Sequence, residues 1–160
     1  FKRTMKLKDQ IKKQDIIVVG GGNTKRRLGV WKEWGLDLLL KEAYDQGVIM
    51  CGVSAGAICW FDKGITDSWA DDLAILNCLG FVDGICCPHY DEEPSRRPYV
   101  KDQLVQNNLT ECIGIEGHAA LHLIDGKPIK SVNFGDNKNS YIVSFKNTGV
   151  IEEPFDSINI

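Results

Sequence analysis

Val48-Ile49-Met50-Cys51-Gly52-Val53-Ser54-Ala55-Gly56-Ala57-Ile58-Cys59 begins as an apolar run, breaks into small residues at Gly52 and then resumes. That pattern predicts a strand, a sharp turn and a helix. Gly52-x-Ser54-x-Gly56 has the spacing of a nucleophile elbow, in which a serine on a strained turn at the carboxyl end of a strand stands above the sheet. Each small neighbour has a steric task. Gly52 and Gly56 let strand and helix approach, Ala55 and Ala57 keep the helix start slim, and the first helical amides point at whatever the serine attacks. An ordinary tight crossover in an α/β sheet, with a buried serine, would show the same five residues, so the rest of the chain has to decide.

Upstream, Leu7 and Ile11 stand four apart among lysines, as at the basic end of a helix. Asp15 then precedes Ile16-Ile17-Val18-Val19, a β-branched run of the kind expected for a parallel strand covered on both faces. Gly20-Gly21-Gly22-Asn23-Thr24 follows, a turn whose exposed amides are receptive to an anion and whose Asn23 or Thr24 can cap the next helix. Neither nucleotide fingerprint fits: the sixth residue from Gly20 is Lys25, not glycine, and the turn does not end in G-K-[ST]. A helical pattern through Leu28, Trp31, Leu38, Leu39 and Ala43 breaks at Gly35 and ends at Gly47. With the strand at 48–52 this makes a βαβ unit, and ligands of such sheets sit outside the carboxyl ends of the strands. The triple-glycine turn and Ser54 should therefore face one crevice.

Downstream, 62–72 is polar, with Asp67, Ser68, Asp71 and Asp72 clustered, and is expected to be a loop beside the site. Gly84-Ile85-Cys86-Cys87 is a short strand running into Pro88-His89-Tyr90-Asp91. From Pro94 to Asn107 the spacing predicts a helix with Tyr99, Val100 and Leu104 inward and Arg96, Arg97, Lys101 and Asp102 outward or toward the cleft. Glu111 to Ile115 is another strand, ending in Glu116-Gly117-His118. The tail is expected to be antiparallel: 119–124 and 128–132 flank Asp125-Gly126, a hairpin signal, and 141–145 adds a strand.

With 160 residues, 43% of them hydrophobic, the chain has the size of one domain with a real core, taken as 1–160. A net charge of -3 gives no general attraction to nucleic acid or an anionic membrane, although Lys2, Arg3, Lys6, Lys8, Lys12 and Lys13 make the start locally basic. No apolar run has the length of a membrane span. Six cysteines with no C-x-x-C pair and apolar neighbours suggest buried thiols in a reducing, cytoplasmic setting.

A serine hydroxyl needs a base within reach, and the base needs a partner that fixes its tautomer. Of the three histidines, His122 lies within an expected strand and His118 follows Glu116 too closely in a turn, which leaves His89 best placed. For the orienting acid Glu116, also at a strand end, is favoured over Asp67 and Asp91. His118-x-x-x-His122 has metal-ligand spacing, but on a strand it has no third ligand nearby, and no metal is expected.

The order Ser54, His89, Glu116 differs from that of an α/β-hydrolase, which places the acid before the histidine. Ile17-Val18-Val19-Gly20-Gly21-Gly22-Asn23-Thr24, Gly52-Val53-Ser54-Ala55-Gly56-Ala57, Pro88-His89 and Ile113-Gly114-Ile115-Glu116-Gly117 together resemble the peptidase E and cyanophycinase family of serine peptidases. The resemblance implies an α/β fold with a doubly wound, mostly parallel sheet, helices on both faces and an antiparallel hairpin extension. It implies a triad of Ser54, His89 and Glu116, and an oxyanion hole from the amides of Gly22 and Ala55. It also implies a small-peptide substrate, with Asp-Xaa dipeptides as the first guess, no cofactor, and Arg96, Arg97 and Asn23 as substrate-binding candidates. A homodimer is compatible with it. The family begins with a further strand, helix and strand before the segment matching residue 1, so a shortened form is expected. A catalytically inactive binding or regulatory relative is the rival reading. Amidotransferase-like cysteine chemistry would need a cysteine at the elbow tip, and Cys51 lies three residues too early.

Overall fold

The computed structural model describes residues 7–68, 72–135, 137–147 and 149–160. Lys2, Arg3 and Lys6 of the basic start, and Asp71, lie outside them. After α1 (Leu7–Ile11) comes β1 (Ile16–Val19), then α2 (Thr24–Glu33) and α3 (Leu36–Asp45). Gly35 parts the two helices at φ 64°, a left-handed conformation that glycine adopts without a Cβ clash. β2 (Ile49–Gly52) pairs in parallel with β1, Ile16 opposite Ile49 and Val19 opposite Gly52, which completes the βαβ unit.

The elbow helix α4 (Ala55–Ile58) is a single turn. It is followed by β3 (Phe61–Thr66), β4 (Ala74–Asn77), β5 (Val82–Cys87), α5 (Arg96–Val105) and β6 (Glu111–Ile115). The chain ends with β7 (Ala119–Ile124), β8 (Lys127–Asn133), β9 (Ser140–Lys146), β10 (Gly149–Pro154) and β11 (Ser157–Asn159). Among the described residues the strands form the β1–β2 pair, a six-stranded sheet in the order β10-β9-β6-β5-β3-β4, and a three-stranded sheet in the order β11-β8-β7. β3–β5 and β5–β6 are parallel, and antiparallel β4, β9 and β10 flank them. The fold is mixed α/β.

Three expectations need correction. First, much of 62–72 is not loop: β3 lies between β5 and β4, with Phe61, Gly64, Ile65 and Thr66 buried. The polar Asp62 and Lys63 that suggested a loop are its exposed positions, and Asp62 accepts the Gly84 amide at 2.9 Å. Second, among the described residues β1 is covered on one face only. Val19 packs with Leu28, Leu40 and Ile58, whereas Ile16 and Val18, in register with Ile49 and Cys51, face outward, and Val18 is 69% exposed. Third, the tail is not wholly antiparallel. β7 and β8 do form the expected hairpin, with Asp125 at φ 51° and Gly126 at φ 73° as a two-residue primed turn requires, but β11 returns parallel to β8.

One core cluster joins Val19 of β1, Ile58 of α4, Cys86 of β5 and Ile113 of β6. Ile58 is 1% exposed, and burying such a side chain contributes about 2 kcal/mol, which anchors the elbow helix against the six-stranded sheet.

Candidate active site

Ser54 has φ 55° and ψ −119°, a backbone conformation that costs a non-glycine residue about 1–3 kcal/mol. Its surroundings hold it there. A Cβ on Gly52 would fall 1.9 Å from Gly56 O, and one on Gly56 would fall 2.0 Å from Val19 O, so strand and helix meet backbone to backbone. Val53 N donates to Val19 O at 3.0 Å, while Ser54 O accepts from Ala57 N at 2.9 Å and Ile58 N at 3.1 Å.

His89 follows β5 in a turn at φ 53°, tied down by Tyr90 N donating to Ile115 O at 3.0 Å. Its Nε2 lies 2.8 Å from Ser54 Oγ, and its Nδ1 lies 2.7 Å from Glu92 Oε2. A carboxylate only accepts, so Nδ1 carries the proton and Nε2 offers its lone pair to the serine hydroxyl.

Glu116 is placed differently from the expectation. It is buried, and its Oε1 accepts from Arg97 Nη2 at 3.0 Å while its Oε2 accepts from Asn139 N at 3.0 Å and Tyr141 Oη at 3.4 Å. The carboxylate on the imidazole is Glu92, which is not among the acids that the sequence put forward for that role. Its signal was the three-residue spacing from His89, which in a tight turn returns a side chain onto its neighbour.

Arg96 is neither outward nor in the cleft: it is 4% exposed. It heads the α5 face that continues through Val100 and Leu104, spaced by four, so the periodicity carries it inward. Its Nε donates to Glu93 Oε2 at 2.6 Å, its Nη1 to Ile65 O at 3.0 Å, and its Nη2 stands 3.6 Å from Asp67. Arg97 lies over the Tyr90 ring at 4.6 Å, between Glu116 and Glu152. Asn23 caps α2, accepting Arg26 N at 2.9 Å, and its amide donates to Ser68 O. All three substrate-binding candidates thus have side chains already engaged.

Gly22 sits at φ 126° beside the elbow, and among the described residues neither its amide nor that of Ala55 has an acceptor. Arg27, which the sequence reading passed over, donates through Nη2 to Gly21 O at 2.7 Å. A cleft of about 540 Å³ opens between the His89 turn and α5, lined by Tyr90, Asp91, Arg97 and Lys101 among others, but neither Ser54 nor His89 lines it.

The six thiols are free. Burial pushes those of Cys59, Cys78 and Cys87 up to about 12 and raises Cys86 and Cys112 as well, which keeps them protonated and unreactive near neutral pH. Among the described residues no three His, Cys, Asp or Glu side chains gather as a metal site would require, and no helix is long and apolar enough to cross a membrane.

Residues 2–131 match Peptidase family S51. The chain is 44% identical over 146 residues to "Uncharacterized peptidase YgaJ" of Bacillus subtilis, covering 90% of this chain and 62% of that protein. It is 30% identical over 132 residues to "Uncharacterized peptidase Lmo0363" of Listeria monocytogenes, covering 75% of this chain and 61% of that one. Against "Uncharacterized peptidase Lin0382" of Listeria innocua the identity is 32% over 131 residues, covering 78% and 63%. The chain therefore spans a little under two thirds of the length of these curated relatives. On the family match and the likeness to YgaJ together, the chain belongs to Peptidase family S51, the peptidase E-like family that its motifs resemble.

Proposed function

We propose that the protein is a serine peptidase that hydrolyses small peptides through an acyl-enzyme on Ser54. The observation that carries this reading is the continuous line from Ser54 Oγ through the two ring nitrogens of His89 to Glu92, with contacts of 2.8 and 2.7 Å. Ser54 Oγ attacks the peptide carbonyl as its proton passes to His89 Nε2, and the Glu92 carboxylate stabilises the imidazolium. The Nε2 proton then goes to the departing amine, the C–N bond breaks, and the acyl group stays on Ser54. Water repeats the cycle, giving a proton to Nε2 and releasing the acid. In this reading the Gly22 and Ala55 amides receive the oxyanion.

Glu116 is the alternative acid, favoured by its burial and by the resemblance of its strand-end motif. Asp-Xaa dipeptides are the first substrates to test. That preference rests on the resemblance, because Arg96 and Arg97 already face carboxylates and Asn23 is a cap. The reading takes 1–160 as one doubly wound domain with helices on both faces, a view supported by the cluster that joins β1, α4, β5 and β6. It places the protein in the cytoplasm, as a monomer or homodimer, without metal, cofactor, nucleic acid or membrane. The free thiols and the net charge of -3 support that setting.

Intact-mass analysis after fluorophosphonate treatment tests the proposal. One adduct, mapped to Ser54 and lost in Ser54→Ala and His89→Ala, is the expected result. Folded protein that takes no label and cleaves no peptide would favour the inactive binding relative.

A further inference from the structure

The triple-glycine turn lies directly beside the serine. A Cβ built on Gly21 would sit 3.6 Å from Ser54 Cβ and 3.9 Å from Ser54 Oγ. A trans peptide is planar, with its C=O and N–H on opposite sides. Because the Gly21 carbonyl accepts from Arg27 Nη2 at 2.7 Å, the Gly22 N–H of the same peptide points away from the guanidinium. Among the described residues that N–H meets no acceptor. Gly22 at φ 126° follows Gly21 and Gly20, so the turn has little resistance of its own to a flip of this peptide. The restraint has to come from outside the turn.

Arg27 is well placed to supply it. It is seated on α2 with Cζ 5.8 Å from the centroid of the Trp31 ring, one helical turn on. Its Nη1 is buried with no hydrogen-bond partner among the described residues. A buried donor left unpaired costs stability, and here that cost accompanies a fork whose other arm reaches Gly21 O.

We propose that Arg27 is a positioning residue that locks the Gly21–Gly22 peptide with its N–H turned toward the carbonyl oxygen of a substrate at Ser54. The catalytic consequence rests on the serine-peptidase reading, whereas the lock rests only on the contact of Arg27 with the turn. The guanidinium acts in two ways. It fixes the peptide plane, and by drawing electron density into Gly21 O it makes the Gly22 N–H a stronger donor. Without it the peptide can flip and present a carbonyl dipole where negative charge develops. Removing an oxyanion donor outright costs about 10²–10³ in kcat, and a donor misplaced part of the time costs less, about ten- to a hundredfold.

The test compares wild type, Arg27→Ala, Arg27→Lys and Arg27→Gln. Arg27→Ala should lower kcat about ten- to a hundredfold with KM within about twofold. It should weaken a peptide boronate, which forms a tetrahedral adduct on the serine, by the same factor, and leave a non-cleavable ground-state analogue unaffected. Arg27→Lys, which keeps the charge, should recover part of the loss. Should Arg27→Ala fold poorly, Arg27→Gln makes the same comparison with a donor but no charge. Independently of turnover, the Gly22 amide 1H–15N resonance, followed in a Ser54→Ala background, should move when Arg27 is replaced while core-strand signals stay. A rise in KM with kcat unchanged would make Arg27 a substrate-binding residue and overturn the proposal, and so would an unmoved Gly22 resonance. If the wild type neither hydrolyses peptides nor takes the phosphonate, the peptidase reading falls, and the Gly22 resonance still decides the lock.

Discussion

Gly117 lies against the Glu92 carboxyl group, so closely that a Cβ at Gly117 would come within 2.3 Å of Glu92 Cδ and 2.4 Å of Glu92 Oε1. The turn after β6 is thus a wall for the acid that pairs with His89, and Asp91 ties that wall in place by accepting the Gly117 N–H at 2.7 Å. Glu92 is 46% exposed, and a glutamate so placed would sample many rotamers. Backbone contact at Gly117 restricts them to those that reach Nδ1.

Gly117→Ala should therefore push Glu92 off the imidazole. Gly117 is not at positive φ, so alanine fits the backbone and the effect should be local. Under the serine-peptidase reading kcat/KM should fall about ten- to a hundredfold, since small misplacements of reacting groups have effects of that size. Steady-state rates alongside a thermal melt check it, and wild-type rates in a folded variant would show that the wall does not matter.

Glu92→Gln and Glu116→Gln separate the two carboxylates. Replacing the orienting acid by its amide in another triad costs about 10⁴ in kcat. Because Glu92 is nearly half exposed and solvent weakens its hold on an imidazolium, about 10²–10³ is expected here. Glu116→Gln should keep rates within about tenfold and instead lower stability by about 1–2 kcal/mol, as Arg97 loses its charged partner. A larger rate loss at Glu116 than at Glu92, with both proteins folded, would move the orienting role to Glu116.

The local pattern of the sequence carried much of this fold. Gly52-x-Ser54-x-Gly56 works through sterics within five residues, and the 1.9 and 2.0 Å approaches at Gly52 and Gly56 are what that spacing anticipates. The βαβ unit and the Asp125-Gly126 hairpin were legible for the same reason. β3 was not, because its polar Asp62 and Lys63 look like loop residues until Gly84, 22 positions beyond Asp62, supplies a partner. Which acid faces His89 was not legible, because side-chain direction at a strand end is set by what lies across it. Glu116 turns toward Arg97 and Asn139, and that choice belongs to α5 and the segment before β9. Arg96 was read by its charge, although its spacing from Val100 and Leu104 already placed it inward.

Arg96→Ala should act on stability rather than on substrate choice. The guanidinium holds Glu93 and the Ile65 carbonyl from a buried position, so its removal leaves both short of a donor. Breaking a fully buried pair costs about 3–5 kcal/mol, and since Glu93 is 39% exposed and can rehydrate, about 2–3 is expected. Urea unfolding measures this. An unchanged midpoint together with a selective loss on Asp-Xaa peptides would return Arg96 to the substrate.

Asp91 should shape the acid limb of the stability profile. Burial alone would raise its carboxyl pKa, but the Lys138 ammonium and the Gly117 N–H more than offset that and hold it below the ordinary carboxylate value. In the unfolded chain the group titrates at its ordinary value, so the folded state keeps its full advantage above that pH. As pH falls the unfolded chain takes up the proton first, the advantage shrinks, and it is gone below the depressed folded value. Asp91→Asn cannot titrate, so its unfolding free energy should fall less steeply than that of the wild type below about pH 5. Lys138 mirrors this on the alkaline side. Asp91 raises its pKa, so its contribution is present below the ordinary lysine value and lost as pH rises through the raised one, and Lys138→Met should flatten both limbs. Because Asp91 also holds Gly117 against Glu92, Asp91→Asn should lose activity severalfold at neutral pH, where Lys138→Met should lose less. Denaturant melts from about pH 3 to about pH 12 on the three proteins, spanning the carboxylate and lysine ranges, decide it: acid limbs that run parallel would show that the pair does not distinguish the folded from the unfolded chain.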